Sequence, residues 1–224
     1  MHSWQDAAGA PNGAAVSALI RDTAAHVVSL VEVNEPWGAP SVVAEIAGDC
    51  GYAWTFVPCV ELGTAPGRRG YGNALLTRVP VTATQQVSVF RPEGRYDGSE
   101  PSETRSLVLA AVHGPGVWVG STHFPATHQS ARKAATTALL DVLRELRTPW
   151  IVSGDFNDPP SALFTGRTDL LRCHPAAGEP TYPARRPKIA IDYFLTSPDV
   201  TMKAEVLHVS GSDHLPILGT ARLA

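Results

Sequence analysis

Short β-branched runs bounded by turn residues recur along the whole of this chain. A chain of that pattern must stack sheets rather than bundle helices. Segments 26–33 (HVVSLVEV), 52–59, 73–77, 82–90, 106–113, 117–122, 150–153, 191–196, 202–209 and 215–222 read as strands. The Gly114-Pro115-Gly116 turn joins two of them as a hairpin. Helical spacing occurs at 14–25, through Val16, Leu19 and Ile20, and at 41–47 behind Pro40. The clearest helix is 128–147, with an apolar stripe of Ala134, Leu139, Leu140, Val142, Leu143 and Leu146, ended by Pro149. Many strands with few helices predict an α+β sandwich, two sheets face to face with helices outside. Stretches 91–104 and 172–190 read as long loops, of the kind that often carry function. No repeat, low-complexity tract or linker divides the chain. Its 224 residues, against about 150 per domain, predict a single domain over 1–224.

Composition narrows the function classes. Charged residues are 17% of the chain and the net charge is −3. That balance argues against a binder whose affinity comes from neutralising many phosphates. The 19 Gly and 19 Pro fit a turn-rich sandwich and exclude a coiled coil. Cys50, Cys59 and Cys173 are odd in number and widely spaced, so neither a disulfide framework nor a zinc site is expected. No apolar run reaches about 18 residues, so no membrane span is expected. The opening MHSWQDAAGAPNG has no basic start followed by an apolar run, and the expectation is a cytoplasmic protein.

The chemistry-bearing residues gather just past strand ends. Glu32 lies near the end of HVVSLVEV, His123 follows VWVGST, Asp155 and Asn157 follow WIVSG, Asp192 opens IDYFLTS, and Asp213-His214 follow an SGS turn. Singly, each has a structural reading: a rim charge, an Asx-type turn, a satisfied histidine. Together they share residue type and placement, on rigid positions that collect groups from distant parts of a chain. Carboxylates and an amide oxygen suit Mg²⁺ or Mn²⁺ rather than zinc. Imidazoles can donate to a phosphoryl group, and a carboxylate such as Asp192 can fix one imidazole's tautomer. Metal, carboxylate base and imidazolium together suit attack of water on phosphorus. No P-loop, dinucleotide fingerprint, nucleophile elbow or H-E-x-x-H occurs.

In these residues the chain resembles the endonuclease/exonuclease/phosphatase superfamily. The matching segments, in the family's order, are VVSLVEV, GNALLTRVPV, ETRSLVLAAV, VGSTHFP, IVSGDFNDPP, PTYPARRPKIAIDYFLTS and SDHLPI. The resemblance implies a four-layered αββα sandwich of the deoxyribonuclease I-like kind, with two mixed β-sheets, and divalent-metal phosphoester hydrolysis. It implies Glu32 as a metal ligand and Asp155 as the residue that orients or deprotonates water. Asn157 would contact phosphate or metal, and Asp213 would hold metal or water. His214 would stabilise the phosphoryl transition state with Asp192 as its partner, and His123 would bind phosphate. Arg105 would face the phosphate, and Asn73 would line the same pocket.

Two positions depart from the family pattern. Val31 stands where Gln usually precedes the metal-binding Glu. Gln5 stands where the first strand usually ends in a metal-side Asn, and on its longer arm it is expected to supply that amide oxygen. Three functions stay open. The first is a nuclease on DNA or RNA, favoured by Arg68, Arg69, Arg185, Arg186 and Lys188 in predicted loops. The second is a small-molecule or lipid-headgroup phosphatase or phosphodiesterase, favoured by the compact, charge-poor chain. The third is a non-catalytic binding member. The expected partner is a phosphoester, chiefly nucleic acid, handled by a monomer without membrane or obligate protein partner.

Overall fold

Alternation along single strands builds the layers. The computed structural model describes residues 2–37, 40–63, 68–92, 103–112, 114, 116–167, 169–174, 178–209 and 211–223. Among them run a short 3₁₀ segment at His2–Trp4, α1 (Gly13–Thr23), β1 (Val27–Pro36), α2 (Val42–Cys50), β2 (Ala53–Leu62), β3 (Arg69–Thr77), β4 (Val81–Phe90) and β5 (Arg105–Val112). There follow β6 (Val117–His123), α3 (Gln129–Glu145), β7 (Trp150–Asp155), α4 (Pro160–Leu163), β8 (Arg172–His174), β9 (Asp192–Thr196), β10 (Val200–Val206) and β11 (Ile217–Leu223). Pro115 of the expected hairpin turn and His113 at the end of the expected strand before it lie outside the described residues, as do 93–102 and 175–177 of the two long loops.

One sheet has the order β4-β5-β6-β7-β9-β8, another β1-β3-β2, and β10-β11 pair as a separate ribbon. In β5, Leu107 and Leu109 pack outward against Leu139, Leu140 and Leu143 of α3. Val108 and Ala110, one residue out of phase, pack inward with Leu75 and Val57 of the other sheet. Beside Leu75, Ala74 and Leu76 point the opposite way, toward Ile20 of α1 and Val43, Ile46 and Ala47 of α2. Period-two alternation thus gives helix, sheet, sheet and helix in succession, the expected αββα sandwich. The larger sheet is mixed, because β6 and β7 run parallel. The smaller one is antiparallel in both of its pairings, which corrects the expectation of two mixed sheets.

The strands near the site are longer than periodicity suggests. β1 continues past Val33 because Asn34, Glu35 and Pro36 pair with Tyr71, Gly70 and Arg69. The first strand expected before Gln5 is replaced by an isolated bridge between Gln5 and Pro11. α2 starts as Pro40 suggests: Ser41 caps it, its hydroxyl accepting the Ala44 N–H at 3.0 Å. Among the described residues no helix is long and apolar enough to cross a membrane.

Candidate active site

Strand register sets the first row of the site. Parallel pairing of β6 with β7 puts His123 opposite Asp155, and antiparallel pairing of β7 with β9 puts Asp155 opposite Asp192. Gly154 permits the close approach of β6 and β7: a Cβ there would stand 2.0 Å from the Thr122 carbonyl oxygen. His214 arrives from the turn before β11. Its Nδ1 lies 2.8 Å from Asp192 Oδ2, and its Nε2 lies 3.9 Å from Asp155 Oδ2. The buried Thr181 hydroxyl donates to the same Asp192 oxygen at 2.6 Å. The Tyr182 ring lies 4.6 Å from the imidazole of His214. Backbone bonds from Ala184 N to Asp213 O (2.6 Å) and from Leu215 N to Thr181 O (2.8 Å) tie the two loops together.

These contacts separate the acid from the base. Burial pulls His214 down, but the hydrogen bond and charge of Asp192, with Asp155 and Asp213 behind, push it up to about 9. It is an imidazolium at neutral pH, with Nδ1–H donated to Asp192. Burial, then the charge of Asp192, pushes Asp155 up to about 7, against the pull of His214 and the Asn157 N–H. That N–H donates to Asp155 Oδ1 at 2.8 Å, and Asn157 holds a left-handed φ of 54° to make the turn. Both groups are raised, and between the two values Asp155 is a free base while His214 keeps its proton, which suits a pair with different proton roles.

His123 sits on the other side of Asp155. Burial, then the charge of Arg105, holds it well below the ordinary range, so it is neutral. Arg105 Nη1 stands 3.0 Å from its Nδ1. A guanidinium only donates, so the lone pair is on Nδ1 and the proton is on Nε2. That Nε2–H faces Asp155 Oδ2 at 3.6 Å. Asn157 Nδ2, 3.1 Å from the same nitrogen, directs its bond to the Phe124 carbonyl at 2.9 Å instead. Arg105 is buried, pairs with Glu103 Oε2 at 3.1 Å, and keeps its Nε without a partner among the described residues. A buried cation with an unused donor is suited to a phosphoryl oxygen.

Glu32 occupies a bulge in β1, where the register slips between Leu30 and Val33 and φ reaches 57°. Such strain in a non-glycine residue is tolerated mainly at functional positions. The Tyr71 hydroxyl is hydrogen-bonded to it. Asn73 is buried and donates from Nδ2 to the Ser106 carbonyl at 3.1 Å, beside Arg105. Asp213 Oδ1 accepts from the Ser212 hydroxyl at 3.1 Å. Gln5 stands apart from the expected set: it is exposed, and its described partner is a backbone one, its carbonyl accepting from Asn12 Nδ2 at 2.8 Å.

The donor chemistry fits a hard divalent cation. Asp155 and Asp192 bring carboxylate oxygens close together, with His214 beside them as a proton donor rather than a ligand, and the buried amide oxygens Asn12 Oδ1 and Asn34 Oδ1 have no partner among the described residues. Oxygen donors of this kind suit Mg²⁺ or Mn²⁺. Sequence reasoning passed over Tyr71, Glu103, Thr181, Tyr182, Asn12 and Asn34. The spacing of Tyr71 and Asn73, two apart in one strand, was a usable signal. Nothing local marked the asparagines.

A family model described as the endonuclease/exonuclease/phosphatase family matches residues 6–214. No curated protein matches the chain closely enough to count as a relative. Among solved structures, an endonuclease/exonuclease/phosphatase from Beutenbergia cavernae DSM 12333 is 23% identical, with a TM-score of 0.73 over 99% of this chain and 69% of that one. A family protein from Leptotrichia buccalis C-1013-b is 14% identical, with a TM-score of 0.76 over 100% and 96%. The Bacteroides thetaiotaomicron VPI-5482 mannosyl-6-phosphatase Bt3783 is 14% identical, with a TM-score of 0.69 over 95% and 91%. At these identities the likenesses concern the fold.

Proposed function

The chain belongs to the endonuclease/exonuclease/phosphatase family, whose members are hydrolases acting on phosphoesters, and from that premise we propose that it is a divalent-metal-dependent phosphodiesterase acting as a nuclease. The observation that carries the reading is the row His123–Asp155–Asp192 with His214 closing it. It sets a carboxylate with a pKa of about 7 beside an imidazolium with a pKa of about 9.

Each residue has work in that reaction. Asp155 orients a water and takes its proton. His214, charged and held by Asp192, donates to a phosphoryl oxygen as negative charge builds in the transition state. Neutral His123, Asn157 and the unused Nε–H of Arg105 bind the other phosphoryl oxygens, and Asn73 lines the pocket. Glu32 and Asp213 would hold the cation, which when bound would supply charge neutralisation for the phosphoryl group. The nucleic-acid reading is supported by Arg68, Arg69, Arg185, Arg186 and Lys188, all exposed and able to attract a polyanion despite the net charge. A monoester reading is favoured by one observation, the mannosyl-6-phosphatase among the structures of like fold.

One assay set decides. The purified protein, with Mg²⁺ or Mn²⁺, is offered plasmid, oligonucleotides, bis-p-nitrophenyl phosphate and a panel of monoesters, beside Asp155→Ala and His214→Ala. Plasmid nicking and oligonucleotide cleavage, lost with EDTA and in both variants, is the expected result. Turnover of monoesters alone would replace the nuclease reading with the phosphatase one. Activity surviving both substitutions would overturn the site.

A further inference from the structure

Asn12 Oδ1, Asn34 Oδ1 and Glu35 Oε2 are buried acceptors without a partner among the described residues. An unmet buried acceptor is destabilising, so each calls for an explanation. Glu35 has one. Its other oxygen accepts the Val43 N–H at 3.2 Å, at the start of α2 where the helix dipole favours negative charge. The two asparagines have none.

Asn12 is 2% exposed. Its amide cannot be turned over, because Nδ2 donates to two carbonyls, those of Gln5 at 2.8 Å and Gly211 at 2.6 Å. Asn34 stands opposite Tyr71 across β1 and β3, and residues so opposed present their side chains on one face. Tyr71 is hydrogen-bonded to Glu32, so Asn34 shares the face that looks to Glu32. Trp4 joins the two asparagines. Its indole N–H donates to the Asn34 carbonyl at 3.1 Å, and its own carbonyl accepts the Asn12 N–H at 3.0 Å. Gly211 precedes Asp213 by two residues. Asn12 is therefore strung between the Asp213 turn and the strand that carries Glu32.

We propose that the amide oxygens of Asn34 and Asn12 are ligands of the cation held by Glu32, in the place expected for Gln5. Neutral amide oxygens beside a carboxylate are the donor set of a hard divalent ion. A cation also satisfies both orphaned acceptors at once. Gln5 is exposed, and its described hydrogen bond is made by its backbone carbonyl. The assignment rests on the metal-dependent reading above, and the test separates the two.

The measurement is Mn²⁺ affinity by calorimetry, with melting temperature recorded with and without Mn²⁺. A ligand that binds only the folded protein raises the melting point. Asn34→Leu is expected to weaken Mn²⁺ binding by at least about tenfold, the loss that even outer-shell partners command. Its metal-free melting point holds or rises, because an unmet acceptor has gone. Asn34→Asp keeps Mn²⁺ binding, and Gln5→Ala binds as the wild type does. Asn12→Leu loses Mn²⁺ affinity too, with a lower melting point from its two broken hydrogen bonds. If Asn34→Leu binds Mn²⁺ like the wild type, or Gln5→Ala loses it, the assignment is wrong and water is the partner of these amides. Loss in Glu32→Gln alone sinks this assignment and leaves the proposed function standing. No Mn²⁺ binding, with hydrolysis persisting in EDTA, overturns both.

Discussion

Replacing Asp192 with Asn tests the acid–base arrangement through a single charge. The exchange keeps the volume and keeps an oxygen for the Thr181 hydroxyl, but removes the carboxylate from His214. The side chains are 15% and 21% exposed, so solvent screens the pair little. Raising a histidine from 6.5 to about 9 corresponds to about 3 kcal/mol. The sign follows from linkage. A raised folded pKa gives stability that is fully present below the unfolded value and is lost as pH rises through the folded one. For His214 that means roughly 3 kcal/mol near pH 6.5, about 2 at pH 7.5 and almost none by pH 10. The stability gap between the wild type and Asp192→Asn, measured by urea unfolding, should therefore narrow by about 2 kcal/mol from pH 7.5 to 10. In the variant, burial is no longer offset by Asp192. NMR titration should find the His214 ring near or below the ordinary range. Asp155 loses both the charge of Asp192, which raises it, and the pull of a charged His214, which lowers it. The basic limb of the pH–rate profile then moves to lower pH while the acid limb moves less. A variant whose His214 still titrates near 9, or a gap that stays flat across that window, would refute the assignment of Asp192 as the source of the shift.

Two further substitutions test other parts of the site. Gly154→Ala drives a methyl into the Thr122 carbonyl. It should cost about 1–3 kcal/mol, lower the melting temperature and depress turnover by parting His123 from Asp155; an unchanged melt would show that β6 and β7 have slack. Arg105→Ala leaves half-buried Glu103 without its cation, and the loss should fall below the roughly 3–5 kcal/mol of a fully buried pair. The double variant Arg105→Ala/Glu103→Gln should regain part of that loss in urea unfolding, and a double no more stable than the single would deny that the ion pair is the cause.

Much of the fold was legible because burial imposes its period on the strands. Leu107, Val108, Leu109 and Ala110 alternate between two cores, and a continuous apolar run is what a strand covered on both faces must show. The polar ends were not legible. Asn34, Glu35 and Pro36 carry no strand pattern, yet they extend β1 because Tyr71, Gly70 and Arg69 lie opposite with matching backbone groups. β8 was read as loop for a related reason: three residues beside β9 are too few to show a period. The expected site residues on β6, β7 and β9 meet because register, a property of strand pairs, aligns them. The sequence could mark their strand ends but not their partners. Thr181 was hidden because a threonine that holds a carboxylate looks like any other until the loop is folded.

The same distinction explains Gln5. Its expected role was inferred from position along the chain, whereas a ligand is defined by what surrounds it. The charges around Glu32 say what that surrounding needs. Burial first, then the charge of Glu32, raises Tyr71. Burial also raises Glu103, where Arg105 opposes the effect and Glu32 adds to it. Glu32 contributes again to the rise of Asp155. Arg105 and His214 are the cations that the site supplies from its own chain, and Arg105 is already shared between Glu103 and His123. Glu32 thus adds, behind burial, to the rise of each of these three neighbours. Adding a divalent ion at Glu32 reverses the sign of that contribution for each neighbour. Mn²⁺ should accordingly move the acid limb of the Asp155-dependent rate to lower pH as its concentration rises. In Asn34→Leu the same displacement should require at least about tenfold more Mn²⁺, because the amide oxygens, rather than Gln5, set how tightly the ion is held.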